Sequence, residues 1–394
     1  MTKENLFDKT IIRRHTNSVK WDEAENDDVI PLWVADMDFQ AAPCIIDALR
    51  RRVEHGVFGY THVPESYYES IIQWFHRRHH WHIHRDWIIY TTGVVPAISA
   101  VIKALTAPGD KVVVQTPVYN CFFSSIRNNG CEVVESPLSV YNDNGIPTYE
   151  IDFEDLEEKV SDPRVKLFLL CNPHNPAGRV WTVEELGKMN DICMRHGVKV
   201  IADEIHCEMV MPGHPFTPFA SVSDECQANS ITCNSPSKSF NIAGLQIANI
   251  ICSDPTLRRR IDRAININEV CDVNPFGVVA LQAAYDEGEG WIDGLNDYLY
   301  ENYLALKDYF KQQMPNLKVF QLEGTYLVWI DITATGKISD ELTGLLLKEG
   351  KVWVNSGTMY GKETGEGFIR INIACPRSMM MEGLRRIHQV ISQL

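Results

Sequence analysis

Between Trp87 and Cys252 the chain repeats one unit, a short unbroken apolar run followed by a stretch with helical spacing. The runs are Trp87–Thr91, Lys111–Gln115, Glu132–Glu135, Val165–Cys171, Lys199–Ala202, Ser230–Cys233 and Ile247–Cys252. A strand with one wet face alternates apolar and polar residues, whereas a strand covered on both faces does not. These runs therefore predict an α/β fold built on a mainly parallel seven-stranded sheet with helices on both sides. One helix is marked at both ends. Thr182 precedes it, Glu185 stands three residues on in capping-box spacing, and Gly197 follows its end near His196.

After about residue 283 the rhythm changes. A long amphipathic helix (about Ile292–Met314) leads to strands at Lys318–Phe320 and Tyr326–Ile332. A helix near Ser339–Lys348 follows, then strands at Val352–Val354 and Phe368–Ile373, then a final helix. This predicts a smaller α+β domain of residues 284–394, joined by residues 1–46, beside a large domain of residues 47–283. A chain of 394 residues can carry that division and a sizeable core without disulfides. Its eleven cysteines, with no CxxC pair, read as reduced thiols in a cytoplasmic protein. The N-terminal decapeptide is polar and lacks a signal-peptide h-region, and no apolar run has bilayer length. A formal net charge of −15 disfavours both nucleic-acid backbone and anionic membrane as partners.

Five segments carry candidate chemistry. In Ser235-Pro236-Ser237-Lys238-Ser239-Phe240-Asn241 two hydroxyl residues flank one lysine after a strand. A lysine held in place and partly desolvated can form a Schiff base with a carbonyl; alone, it also reads as a solvated loop residue. Asp203 directly follows the run Lys199–Ala202, at the strand end where ligands of α/β sheets gather. It could pair with a cationic ring nitrogen or simply cap the next turn of the chain. His206, three residues on, could touch the same ligand. In Cys171-Asn172-Pro173-His174-Asn175-Pro176 two Asn-Pro pairs stiffen the turn, leaving Asn175 as a fixed amide. The junction Thr91-Thr92-Gly93-Val94-Val95 opens a helix whose free first-turn N–H groups can take a phosphate. Arg370, in the apolar strand Phe368–Ile373, needs either a structural salt bridge or a substrate carboxylate.

The ordered series GVVPAIS, TPVYNCFF, NPHNPAGR, ADEIH, SPSKSF and FIRINIA resembles the fold-type I pyridoxal-phosphate enzymes of the class I/II aminotransferase family. Pro31–Phe39 (PLWVADMDF) and Gly59-Tyr60-Thr61 resemble the MalY/PatB-type cystathionine β-lyases, the C–S lyases that include the cystalysins. The resemblance implies pyridoxal 5′-phosphate as cofactor and Lys238 as the lysine that links to it. It implies Asp203 on the ring nitrogen, Asn175 on the ring oxygen, His206 beside it and Tyr119 stacked on the ring. Val94 and Val95 would bind the phosphate through backbone N–H groups, helped by Ser235 and Ser237. Tyr60 would reach the phosphate from the other subunit of a homodimer with shared active sites, and Arg370 would hold the carboxylate of a small amino-acid substrate. His206 stands where the best-known aminotransferases often carry a tyrosine, which favours the lyase branch.

The activity this implies is β-elimination, splitting cystathionine or a cysteine S-conjugate to a thiol, pyruvate and ammonia. An aminotransferase would use the same Lys238, Asp203 and Arg370. A regulatory binding protein retaining the cofactor is a third reading. The histidines His76, His79, His80, His82 and His84 read as a helix end packed through Trp81 and Trp87, and no metal is expected there.

Overall fold

The computed structural model describes residues 6–267, 269 and 272–394; the first five residues of the polar N-terminal stretch and Cys271 lie outside the described residues. All seven apolar runs become strands of one sheet: β1 (Ile88–Thr91), β2 (Lys111–Thr116), β3 (Glu132–Pro137), β4 (Val165–Cys171), β5 (Lys199–Asp203), β6 (Ser230–Asn234) and β7 (Ala248–Ile251). The order across the sheet is β1-β7-β6-β5-β4-β2-β3. Only β7 runs antiparallel to its neighbours β1 and β6. The parallel strands therefore end together along one edge.

The helices that frame the site are α1 (Pro43–His55), α2 (Glu65–His79), α3 (Val94–Leu105), α4 (Cys121–Asn128), α5 (Val183–Arg195), α6 (Pro275–Glu287) and α7 (Glu289–Gln313). Strand β4 shows why its apolar run has no polar breaks. Leu167, Leu169 and Cys171 pack with Val94, Ile98 and Val101 of α3. Phe168 and Leu170 pack with Leu186, Met189 and Ile192 of α5 on the other face. Each such side chain is fully or almost fully buried, which stabilises the sheet by about 1.5–3 kcal/mol per residue. The capping box of α5 is formed. Thr182 Oγ1 accepts from the Glu185 N–H at 3.2 Å, and the Glu185 carboxylate accepts from the Thr182 N–H at 2.8 Å. Gly197 takes φ +70°, the left-handed turn expected after that helix.

The second sheet contains β8 (Lys318–Val319), β9 (Leu327–Asp331), β10 (Asn355–Ser356) and β11 (Phe368–Asn372), in the order β8-β9-β11-β10 and antiparallel throughout. The strand expected at Val352–Val354 forms at Val352–Trp353, outside this sheet, and pairs in parallel with Ile30–Pro31. A two-residue strand has too little pattern to choose its partner, and the N-terminal segment supplied one. The proposed boundaries at 46/47 and 283/284 fall inside α1 and α6, which pack on each other. The two parts also share a core: Trp74 of α2 stacks on Tyr285 of α6 at 4.9 Å, and Phe240 stacks on Trp291 of α7 at 5.6 Å. Among the described residues, no helix is long and apolar enough to cross a membrane.

Candidate active site

A cavity of about 410 Å3 opens where the parallel strands end. Asp203 closes β5, and His206 follows in the next turn. Asn175 sits in the loop after β4, and Lys238 and Ser237 in the loop after β6. Val94 and Val95 begin α3, and Tyr119 precedes α4. Arg370 arrives from β11 of the second sheet. All of these line one cavity, although they are spread over nearly 280 residues of sequence.

Two expected residues stand elsewhere. Ser235 is absent from the lining because its hydroxyl is already used. It donates to the Ile247 carbonyl at 2.6 Å and accepts from the Ser237 N–H at 3.0 Å. It thus fixes the lysine loop rather than facing a ligand. Tyr60 is 97% exposed and does not line its own chain's cavity.

The charges in the cavity lack ordinary partners. Arg370 is 3% exposed, yet its guanidinium donates only to neutral oxygens, Asn175 Oδ1 at 3.1 Å and the Trp33 carbonyl at 2.7 Å. It lies 4.8 Å over the Tyr360 ring, and its Nε has no hydrogen-bond partner. Asp203 accepts from the Ile205 N–H at 3.1 Å. Burial pushes its carboxyl up to about 7, against the pull of that bond and of the Lys238 charge. Lys238 Nζ donates to the Ala35 carbonyl at 2.6 Å. Burial lowers the affinity of Lys238 for its proton; Asp36 opposes that shift and Arg370 adds to it. His206 is driven down to about 3 by burial, helped by the charges of Lys238 and Arg370, and its Nδ1 has no partner. Tyr119 is held as a neutral phenol, chiefly by burial.

Three features of this bonding pattern define what the cavity takes. Among the described residues, Arg370 faces no carboxylate, Asp203 has no paired cation, and α3 starts at Gly93 with no side-chain cap. An amino acid joined to pyridoxal phosphate presents a carboxylate, a cationic ring nitrogen and a phosphate, so the residues present fit that group.

The segment Trp33–Met37 roofs the cavity, a role its sequence did not disclose. Its carbonyls are anchored in succession. Trp33 accepts from Arg370 and from Asn355. Val34 accepts from Asn372, Ala35 from Lys238 and Tyr326, and Asp36 from Asn372 and Lys20. Met37 accepts from Arg13 and Asn241. On the same segment, Lys20 is fully buried against Asp38 at 2.7 Å, and Arg13 grips Asp36 and Asp38 at 2.6 and 2.8 Å. Arg13, Lys20, Tyr360 and Asn355 carry no local motif. The acidic pair in WVADMD was the available signal, since buried carboxylates require cations.

Of the five clustered histidines, His79 turns inward. Its Nε2 meets Glu208 Oε1 at 2.7 Å, and Trp74 Nε1 donates to the same oxygen at 2.7 Å. Cys207 Sγ lies 3.6 Å from it, so nitrogen, sulfur and oxygen donors suited to a metal stand together. Burial alone would raise the Glu208 carboxyl, but His79, Trp74 and Arg78 outweigh it and hold it low. The carboxylate is thus already compensated by protein groups.

The comparisons agree with this geometry. The chain is 43% identical over 390 residues to the cystathionine β-lyase PatB of Bacillus subtilis (strain 168), covering 98% of this chain and all of that protein. The crystal structure of cystalysin from Treponema denticola, which contains pyridoxal 5′-phosphate, superposes with a TM-score of 0.94 at 35% identity, covering 98% of each chain. The pyridoxal-phosphate-bound C–S lyase of Staphylococcus hominis superposes with a TM-score of 0.90 at 34% identity, covering 98% of this chain and 99% of that one. Residues 27–387 match the family described as aminotransferase class I and II. With that match running from the roof segment through Arg370 and into the last helix, the chain belongs to the aminotransferase class I and II family.

Proposed function

We propose that this chain is a pyridoxal-phosphate-dependent carbon–sulfur β-lyase that cleaves cystathionine or cysteine S-conjugates to a thiol, pyruvate and ammonia. The observation that carries it is the meeting of Lys238, Asp203 and an Arg370 without a carboxylate partner in one cavity. Full-length likeness to PatB and cystalysin supports elimination over transamination on that scaffold.

Lys238, Asp203, Asn175, His206 and Tyr119 would hold the cofactor, with Val94, Val95 and Ser237 at its phosphate. Pyridoxal phosphate supplies an electron sink for the electron pair left at Cα. Arg370 binds the substrate carboxylate and so fixes which Cα bond faces that sink. Lys238 Nζ, whose proton affinity burial lowers, takes the Cα proton. Neutral His206 adds no charge against Arg370 or Lys238. The thiolate leaves from Cβ. The roof at Trp33–Met37 limits water while the proton is held.

The test is incubation of the purified, cofactor-loaded protein with L-cystathionine and no keto acid, measuring pyruvate and free thiol together. Equal and sustained production of both is expected. Activity that appears only after a keto acid is added would overturn the reading in favour of an aminotransferase.

The same proposal includes a homodimer with shared active sites and a cytoplasmic location, the latter supported by free thiols at every described cysteine. Tyr60 stands beside Val57 and Phe58, both more than half exposed, on a segment suited to cover by a second copy. An inactive Tyr60 variant mixed with an inactive Lys238 variant is expected to regain part of the activity through hybrid dimers. No recovery under demonstrated subunit exchange would remove Tyr60 from the site. The division into a large unit of residues 47–283 and a smaller one of residues 1–46 and 284–394 also belongs to this proposal.

A further inference from the structure

Among the ten described cysteines, eight are buried and only Cys44 and Cys121 are partly exposed. Cys121 alone of these two lines the active cavity. It is the first residue of α4. Lys238, Tyr119 and Tyr360 line the same cavity, so the sulfur lies among groups that surround the substrate space. Tyr360 in turn carries the Arg370 guanidinium at 4.8 Å.

A partly exposed thiol would mean little alone. The same cavity, however, contains Arg370, 3% exposed, with an unpartnered Nε and no carboxylate. It also contains the His206 ring, 4% exposed, with an unpartnered Nδ1. These buried groups call for an anionic, hydrogen-bonding ligand in the cavity that Cys121 also lines.

We propose that Cys121 is a thiol–disulfide exchange site inside the active cavity, selective for small disulfides that carry a carboxylate. Arg370 holds the carboxylate, and Cys121 Sγ attacks the nearer sulfur of the disulfide. The old S–S bond breaks and a mixed disulfide with Cys121 forms. The second sulfur leaves as a thiolate and takes the proton that the Cys121 thiol gave up. The disulfide is the oxidant, so no further co-reactant is needed. The attached half fills the substrate space and blocks turnover until a thiol reverses the exchange. The inference rests on the β-lyase reading only for the natural source of such a disulfide, the oxidised form of a thiol product.

The probe is 3,3′-dithiodipropionate, which has the carboxylates but no amino group and so cannot be a substrate. Treatment of the cofactor-loaded protein is expected to add one 3-thiopropionate to the peptide containing Cys121. Lyase activity should fall in parallel, and dithiothreitol should restore both. Cys121→Ser should take up no label and lose none of its own activity on treatment. The uncharged bis(2-hydroxyethyl) disulfide should react at least about tenfold more slowly, the size of one lost charge-assisted hydrogen bond. The non-disulfide 3-(methylthio)propionate should protect the unchanged protein, a control that needs no Arg370 variant. Labelling confined to Cys44, equal rates with both disulfides, or a labelled protein that stays active would each overturn the proposal. Because labelling is read by mass, selective modification of Cys121 in a protein that makes no pyruvate would refute the lyase reading and leave this inference standing.

Discussion

Lys238→Ala is expected to lower lyase activity by at least about 10^3-fold, within the range a positioned base contributes. After free cofactor is removed, the visible absorbance of the loaded protein should vanish with it. Both effects trace to one atom. Lys238 Nζ is the amine in the cavity, bonded at 2.6 Å to Ala35, and burial lowers its affinity for a proton. The same burial separates this effect from a folding defect. An ammonium disfavoured by its surroundings costs little to remove, so the unfolding midpoint should hold or rise slightly. Absorbance and steady-state rates on one sample check it, and retention of both would overturn the assignment of Lys238.

Arg370→Ala is expected to raise the KM for cystathionine about 100-fold, with a smaller fall in kcat, as loss of charge-assisted bonds to a carboxylate requires. It should also destabilise the protein. Asn175 Oδ1 loses its donor at 3.1 Å, and an orphaned buried acceptor costs about 1–3 kcal/mol; the Trp33 carbonyl loses the donor at 2.7 Å but keeps Asn355. Arg370→Lys restores the charge but not the planar fork, so it should recover stability better than KM. Steady-state kinetics and thermal unfolding separate the two, and an unchanged KM in Arg370→Ala would take the residue out of the substrate site.

The residues easiest to recognise in the sequence were those whose chemistry is local. Asp203 ends an apolar strand, Lys238 sits between serines, and Val94 follows a glycine at a helix start. Each signature belongs to a strand end or loop, and a parallel sheet brings such ends to one edge. A hydroxyl near the lysine, as at Ser235, can serve a ligand or its own loop, and in the fold it donates to the Ile247 carbonyl. Arg13 and Lys20 were invisible because the carboxylates they meet, Asp36 and Asp38, lie well beyond the reach of any local motif. Lys20 reads as an ordinary surface lysine until the fold closes Asp38 over it.

The amino-acid sequence by itself determined the strands, because unbroken apolar runs are stable only when helices cover both faces, and it determined the helix ends, because caps are satisfied within three or four residues. The direction of β7 was decided only in the tertiary structure, since Ala248–Ile251 is buried whichever way it runs. So was the partner of Val352–Trp353, and so was the roof over Lys238. Those features depend on which distant backbone carbonyl meets which buried cation, and a buried charge accepts whatever partner the completed fold brings within hydrogen-bond reach.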